Sequence, residues 1–278
     1  LTGVPLIVVP KDLDFTFPKN GDSSAPNTWI DDLVDAKLAS LRIAPSTLCD
    51  DETFLRRVTL DLVGLVPTPE ERAAFLADTA ADKRARVAER LMARKEFVEL
   101  WVMKWSEILQ IRSQNDVSPK AAILYHQWLD RRIAANEPID RMVRDLLTAS
   151  GGTFDNPATN YFQLERNTLK LAENVAQAFL GMRIQCAQCH NHPFDRWTMD
   201  DYYGFAAFFT QIGRKRAADP RETIVFDSGS GEVNHPVTGK PAAPKFLGGD
   251  RPKVADRDRR EAVAEWITDR KSTRLNSS

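Results

Sequence analysis

Cysteine is scarce, with three in 278 residues. That is too few to staple a chain of this length, so the fold has to stand on a hydrophobic core. An excess of either charge is also missing, because 38 Lys and Arg face 39 Asp and Glu. The balance excludes a basic field for nucleic acid and an acidic one for a cationic partner, and it locates function in a site. No apolar run approaches the roughly 18 residues that a membrane-spanning helix needs. The opening residues 1–10 hold neither an initiator Met nor a basic leader, so the chain reads as a piece of a longer protein whose export signal, if it has one, lies upstream. Residues 271–278 follow a helical pattern abruptly and read as a non-native tail.

What is present is mostly helical period. In WIDDLVDAKLASLRI the apolar residues Ile30, Leu33, Val34, Leu38 and Leu41 recur at spacings of three and four, which puts them on one helical face. A second such segment covers about 52–62. Thr68, Pro69 and Glu71 form a capping-box start. Further helices are predicted over about 81–93, 95–111, 119–135 behind Ser118-Pro119, 138–149 and 168–185. Thr198 to Asp201 is a second box-like start, ahead of the aromatic stretch DYYGFAAFFTQI. Residues 213–250 turn rich in Gly, Pro, Ser and Lys, with one strand predicted at 223–226, and a last helix is expected over about 256–269.

The fold class is therefore mainly α: a multi-helix domain with a Gly/Pro-rich loop or small β excursion behind its Cys/His cluster. The expected division is the end of an upstream, Ig-like domain plus linker at 1–27, with a strand end at 6–9 and the linker at 18–27. Then come a helical domain at 28–212, the excursion at 213–250, a helix at 251–270 leading to a further domain, and the tail.

The chemistry concentrates in QCAQCHNHPF, residues 185–194, which packs two of the three cysteines and two of the four histidines into seven positions. Cys-x-x-Cys-His is the spacing of covalent c-type haem attachment. Two thiols three apart reach the vinyl groups on one porphyrin edge, and the adjacent imidazole reaches the iron. These are Cys186 and Cys189, with His190 as the proximal iron ligand. Zinc is a second reading, with Cys186, Cys189 and His190 or His192 as ligands and His126 or His235 completing the four. A dithiol redox pair is a third, although the thioredoxin-like βαβ pattern around it is missing. For a sixth iron position the candidates are His126, His235, Met199 and Met182, or none. Cys49 reads as a small residue next to a helix cap, and residues 227–232 as a turn rather than a calcium loop.

Four blocks of the chain also resemble a known family. They are IDDLVDAKLASLRIAPSTLCDDETFLRRVTLDLVGLVPTPEERAAFLAD, LTASGGTFDNPATNYFQL, AFLGMRIQCAQCHNHPFDRWTMDDYYGFAAFF and HPVTGKPAAPKFLGG. Together they are similar to the planctomycete cytochrome-associated family called domain of unknown function 1549. The resemblance implies a large exported protein at the periplasm or cell surface. It implies a c-type cytochrome or Ig-like domain upstream and domain of unknown function 1553 downstream, and no established reaction. The combined expectation is an exported domain that binds one haem c and serves electron transfer or redox chemistry with a cytochrome c domain or other redox partner of the same full-length protein. The alternative is a non-redox cell-surface scaffold with a structural zinc or a dithiol at the cluster.

Overall fold

The computed structural model describes residues 29–44, 47–114, 117–254 and 257–269. The expected strand end at 6–9, the linker at 18–27 and the tail at 271–278 lie outside these residues. Among those described, the chain is mainly α, with eleven α-helices and three short strands. No helix among them is long and apolar enough to cross a membrane. The chain divides into two compact units, Leu1–Val58 with Pro67–Arg84, and Thr59–Val66 with Ala85–Ser278.

In the first unit lie α1 (Trp29–Ser40), α3 (Pro69–Ala77) and most of α2 (Asp51–Val63). The predicted capping box opens α3: the Thr68 hydroxyl accepts from the Glu71 N–H at 3.1 Å, and the Glu71 carboxylate accepts from the Thr68 N–H at 2.9 Å. Phe54 and Phe75 stack with centroids 6.2 Å apart. Arg84 lies 4.8 Å over the first ring and Lys83 5.0 Å over the second, and both cations also pair with Asp51. The apolar stripe of α1 behaves differently from a core face. Ile30, Leu33, Val34 and Leu41 are exposed, because periodicity prepares a face but burial needs a second surface, and the described residues of this unit supply none.

The second unit holds α4 (Lys83–Met92) from Ala85 onward, α5 (Lys95–Ile108), α6 (Pro119–Ala134), α7 (Ile139–Leu147), β1 (Gly151–Gly152), α8 (Tyr161–Leu164), α9 (Thr168–Leu180), α10 (Met199–Ala206), β2 (Ile212–Arg216), β3 (Thr223–Asp227) and α11 (Arg259–Thr268). Helix α5 packs on α6, α7 on α11, and α9 on α10. Leu129, Phe162, Val175, Phe205, Phe208 and Val263 are fully buried in one core cluster of this unit. Each such side chain contributes roughly 1.5–3 kcal/mol through the apolar area it removes from water.

Two helices end earlier than their periodicity predicts. Helix α9 stops at Leu180 rather than 185, because Gly181 takes a left-handed φ of +67° and the Gly181 and Met182 N–H groups both turn back to the Ala176 carbonyl. Helix α10 stops at Ala206 and passes through a 3-10 turn, Ala207–Phe209, into β2. There the backbone exchanges helical bonds for pairing with β3. The three strands form an antiparallel sheet in the order β1-β3-β2, with Gly151 opposite Val225 and Arg214 opposite Val225 on its other side. The strand predicted at 223–226 is β3. The Gly-Gly pair of β1 has no strand propensity of its own and pairs because β3 offers it an edge.

Candidate functional site

Gln185–Gln188 form one turn of 3-10 helix with Cys189 at its C-terminal end, and the Cys189 N–H points back to the Cys186 carbonyl at 3.4 Å. Side chains three apart eclipse one another in such a turn. Ile184 and Ala187, 1% and 0% exposed, therefore share the inner face and anchor in the core. Cys186 and Cys189, both free and exposed, share the outer one. The three-residue spacing read in the sequence thus does two jobs at once, one for packing and one for presentation.

The turn and the loop beyond it are held by hydrogen bonds to α10 and to Trp197 just before it. The Tyr203 hydroxyl donates to the Gln188 carbonyl at 3.1 Å, the His192 N–H donates to the Trp197 carbonyl at 2.7 Å, and the Met199 N–H donates to the Asn191 side-chain oxygen at 3.2 Å. Helix α10 is in turn fixed at its start by the predicted box. Asp201 accepts from the Thr198 N–H at 3.0 Å, and the Thr198 hydroxyl accepts from the Asp201 N–H at 3.2 Å. The Lys245 ammonium lies 2.6 Å from the second Asp201 oxygen. Burial pushes the Asp201 carboxyl upward, but Lys245 and the Thr198 bonds outweigh it and leave the group below the ordinary carboxylate range. The segment carrying Lys245 presses on Gly204, where a Cβ would lie 2.7 Å from that of Lys245. Only glycine fits this crossing.

The tyrosines of α10 serve as donors rather than acids. Burial and then the hydrogen bond to Glu173 raise Tyr202, whose hydroxyl donates to that carboxylate at 2.7 Å. Burial and then the neighbouring Cys189 thiol raise Tyr203.

Ring geometry separates the histidines. Nδ1 of exposed His190 lies 2.8 Å from the Asn191 carbonyl oxygen. A carbonyl only accepts, so Nδ1 carries a proton, and in the neutral ring Nε2 is the nitrogen with a lone pair for a ligand. His192 has the reverse arrangement: its Nδ1 accepts from the Phe194 N–H at 3.3 Å, which leaves the proton of the neutral ring on Nε2. His235 is engaged at both nitrogens, accepting from the Val237 N–H at 3.3 Å and facing Asp200 at 3.5 Å. His126 stands exposed on α6, which packs on α5 and on the 3-10 turn Pro157–Asn160. Met182 and Met199 are half-buried on either side of the motif in the chain.

No three His, Cys, Asp or Glu side chains gather where they could hold a metal ion among the described residues. Trp197, Phe205 and Phe208 fill the core rather than line an open groove. A planar group attached here would lie on the outer face of the turn. Cavities of this unit lie elsewhere, one of about 580 Å³ among Trp128, Arg131, Arg132 and Arg141 and two others. One of about 440 Å³ is lined mainly by Trp105, Ile139, Val143, Phe179 and Ile267, and one of about 210 Å³ is lined by basic side chains of β2. The second was missed in the sequence, where the only signal for it is the run Arg214-Lys215-Arg216.

A family model described as PSCyt2, Protein of unknown function (DUF1549), matches residues 29–214, more than half of the chain. No curated protein and no solved structure matches the chain.

Proposed function

The chain belongs to the DUF1549 family, and on that footing we propose that its exposed Cys-x-x-Cys-His turn carries a covalently attached haem c and serves electron transfer or a related redox reaction. The observation that carries this reading is the pairing of two free thiols on one face of one turn with an adjacent imidazole whose Nε2 is left to bind. The donor set fits the group: Cys186 and Cys189 would hold it through thioethers, and His190 would bind the iron. Bound haem supplies a one-electron couple whose potential follows from its axial ligands and exposure.

The chain's own residues define the rest of the site. The Asn191 carbonyl fixes the His190 tautomer, as the outer-shell partner of a ligating histidine commonly does. Tyr203 and the His192–Trp197 backbone bond hold the turn against α10, so that the thiols keep their spacing while solvent reaches them. An exposed attachment face favours exchange with a docking partner over chemistry on an enclosed substrate. The proposal carries with it a periplasmic or cell-surface location and a cytochrome domain or other redox partner within the full-length protein.

Co-expression with the cytochrome c maturation proteins, followed by a pyridine haemochrome spectrum of the denatured protein, tests the reading. Covalent haem is expected in the parent chain and is expected to vanish in the double variant Cys186→Ser, Cys189→Ser. A well-folded parent with no covalent haem overturns it. The exposure of both free thiols also suits a dithiol pair. That second reading is favoured if the haem-free protein instead forms a reversible Cys186–Cys189 disulfide.

A further inference from the structure

We propose that the cavity at the Arg216–Thr223 end of the β2–β3 hairpin binds a tetrahedral oxyanion, the phosphate or sulfate group of a small molecule or ester. The cavity holds about 210 Å³ and is lined by Arg166, Arg214, Lys215, Arg216, Pro220 and Thr223. Its lining residues include three arginines, one lysine and one threonine and no Asp or Glu, although the Lys215 ammonium lies over the Phe226 ring, 5.5 Å from its centroid. The volume is below the roughly 300–1,000 Å³ of sites that enclose drug-sized ligands, which suits a compact, highly charged group.

Arg214 is the centre of the argument. Its Nε donates to the Phe162 carbonyl at 2.9 Å and its Nη1 lies 3.4 Å from the Ile212 carbonyl. Both partners are neutral, and no carboxylate lies within ion-pair reach of this guanidinium among the described residues. Burial, and after it the positive charges of Arg166 and Arg260, push its pKa down to about 10, against a smaller opposing pull from Glu165. Arg260 is already neutralised by Asp258 at 2.6 Å. The carboxylates nearest in sequence are also engaged. Asp219 is held by Arg221 at 2.7 Å, Glu222 accepts from the Phe154 N–H at 3.2 Å, and Glu165 accepts from the Asn167 N–H at 2.8 Å.

A second observation lies beside the first. Gln163 is 2% exposed, and its amide oxygen accepts from Nη2 of the cavity-lining Arg166 at 3.3 Å. The nitrogen of the same amide is buried and has no partner. A buried donor left without an acceptor carries a desolvation cost, here one hydrogen bond away from a cavity-lining arginine. Guanidinium groups present paired N–H donors that match the oxygens of phosphate and sulfate, and the Thr223 hydroxyl adds a neutral donor.

The test is calorimetric titration of the chain with inorganic phosphate and inorganic sulfate at low ionic strength, with sodium chloride of equal ionic strength as the control. Saturable binding of at least one oxyanion is expected, weakened about tenfold or more in Arg214→Gln and in the exposed double variant Arg166→Gln, Arg216→Gln, whose intact fold is checked by its unfolding midpoint. Repeating the titration at pH 5 and pH 8 separates the two chemistries. Inorganic phosphate gains its second charge between these two pH values and should bind more tightly at the higher one, whereas sulfate carries two charges at both and does not change as a ligand. Heats no larger than those of chloride, or oxyanion affinity unchanged in the double variant, overturn the proposal.

Discussion

The Cys/His turn and the basic cavity solve the problem of presenting reactive groups in opposite ways. At residues 185–190 the anchors are apolar and point inward, while the thiols and the imidazole stand in water, where neutral groups cost little. In the cavity, Arg214 is half-buried, its hydrogen bonds go to backbone carbonyls, and the charges of Arg166 and Arg260 outweigh the pull of Glu165 on it. A neutral ligand set can be displayed on a surface at almost no cost to the fold. A cationic one held partly out of water is under electrostatic tension until an anion arrives.

This contrast can be broken most forcefully from inside the turn. Ala187→Asp would bury an unpaired carboxylate in place of a fully enclosed methyl group and is expected to destabilise the protein by about 3–5 kcal/mol. Cys186→Ser, on the opposite face of the same turn, is expected to stay within about 0.5 kcal/mol. Urea unfolding of the two variants checks both numbers. Equal losses in the two would show that the faces are not divided as described.

A smaller effect is expected at Arg214. Replacing it by Met removes its hydrogen bonds to carbonyls but also relieves the cost of holding a partly buried charge among other cations. The two nearly cancel, and stability without added oxyanion should change by no more than about 1 kcal/mol. Urea unfolding with and without phosphate or sulfate measures this, and the variant should also lose the stabilisation that an oxyanion confers on the parent.

An effect of similar size, visible only as pH falls, concerns the clamp behind the turn. The Asp201 carboxyl is held below its ordinary range in the folded state, so its contribution is fully present above its unfolded pKa near 3.9 and is lost as pH falls through the lower folded value. Between neutral pH and about pH 3, the parent should lose about 1 kcal/mol more than Lys245→Met, in which the main cationic partner is missing. Thermal unfolding as a function of pH reads the difference, and parallel curves would contradict the clamp.

Much of the helical architecture is legible in the sequence because it is local. Thr68-Pro69-Glu71, Ser118-Pro119 and Thr198 with Asp201 each announce a helix start through side chains that bond the next turn, and each cap forms. The end of α9 is less legible. Leu180-Gly181-Met182 continues an apolar pattern, and only the backbone of Gly181 decides that the helix stops there. Gly151-Gly152 carries no strand signal, and residues 157–164, which no predicted helix covers, form a 3-10 turn and α8. The Cys-x-x-Cys-His spacing was readable as candidate chemistry. The different proton positions of His190 and His192 were not, since they depend on which backbone group each ring meets.

The sequence by itself determined the mainly helical character, the starts of the capped helices and the three-residue spacing that splits the 185–190 turn into an inner and an outer face. These follow from interactions within a few residues, which the order of side chains specifies directly. Only the tertiary structure decided that the α1 stripe stays exposed, that the aromatic face of α10 fills the core and that β1 joins β3 across more than seventy positions. It also decided that Arg166 and Arg214 line one cavity. Burial, strand pairing and the convergence of charge depend on a second surface brought from far along the chain, and no local pattern encodes where that surface will be.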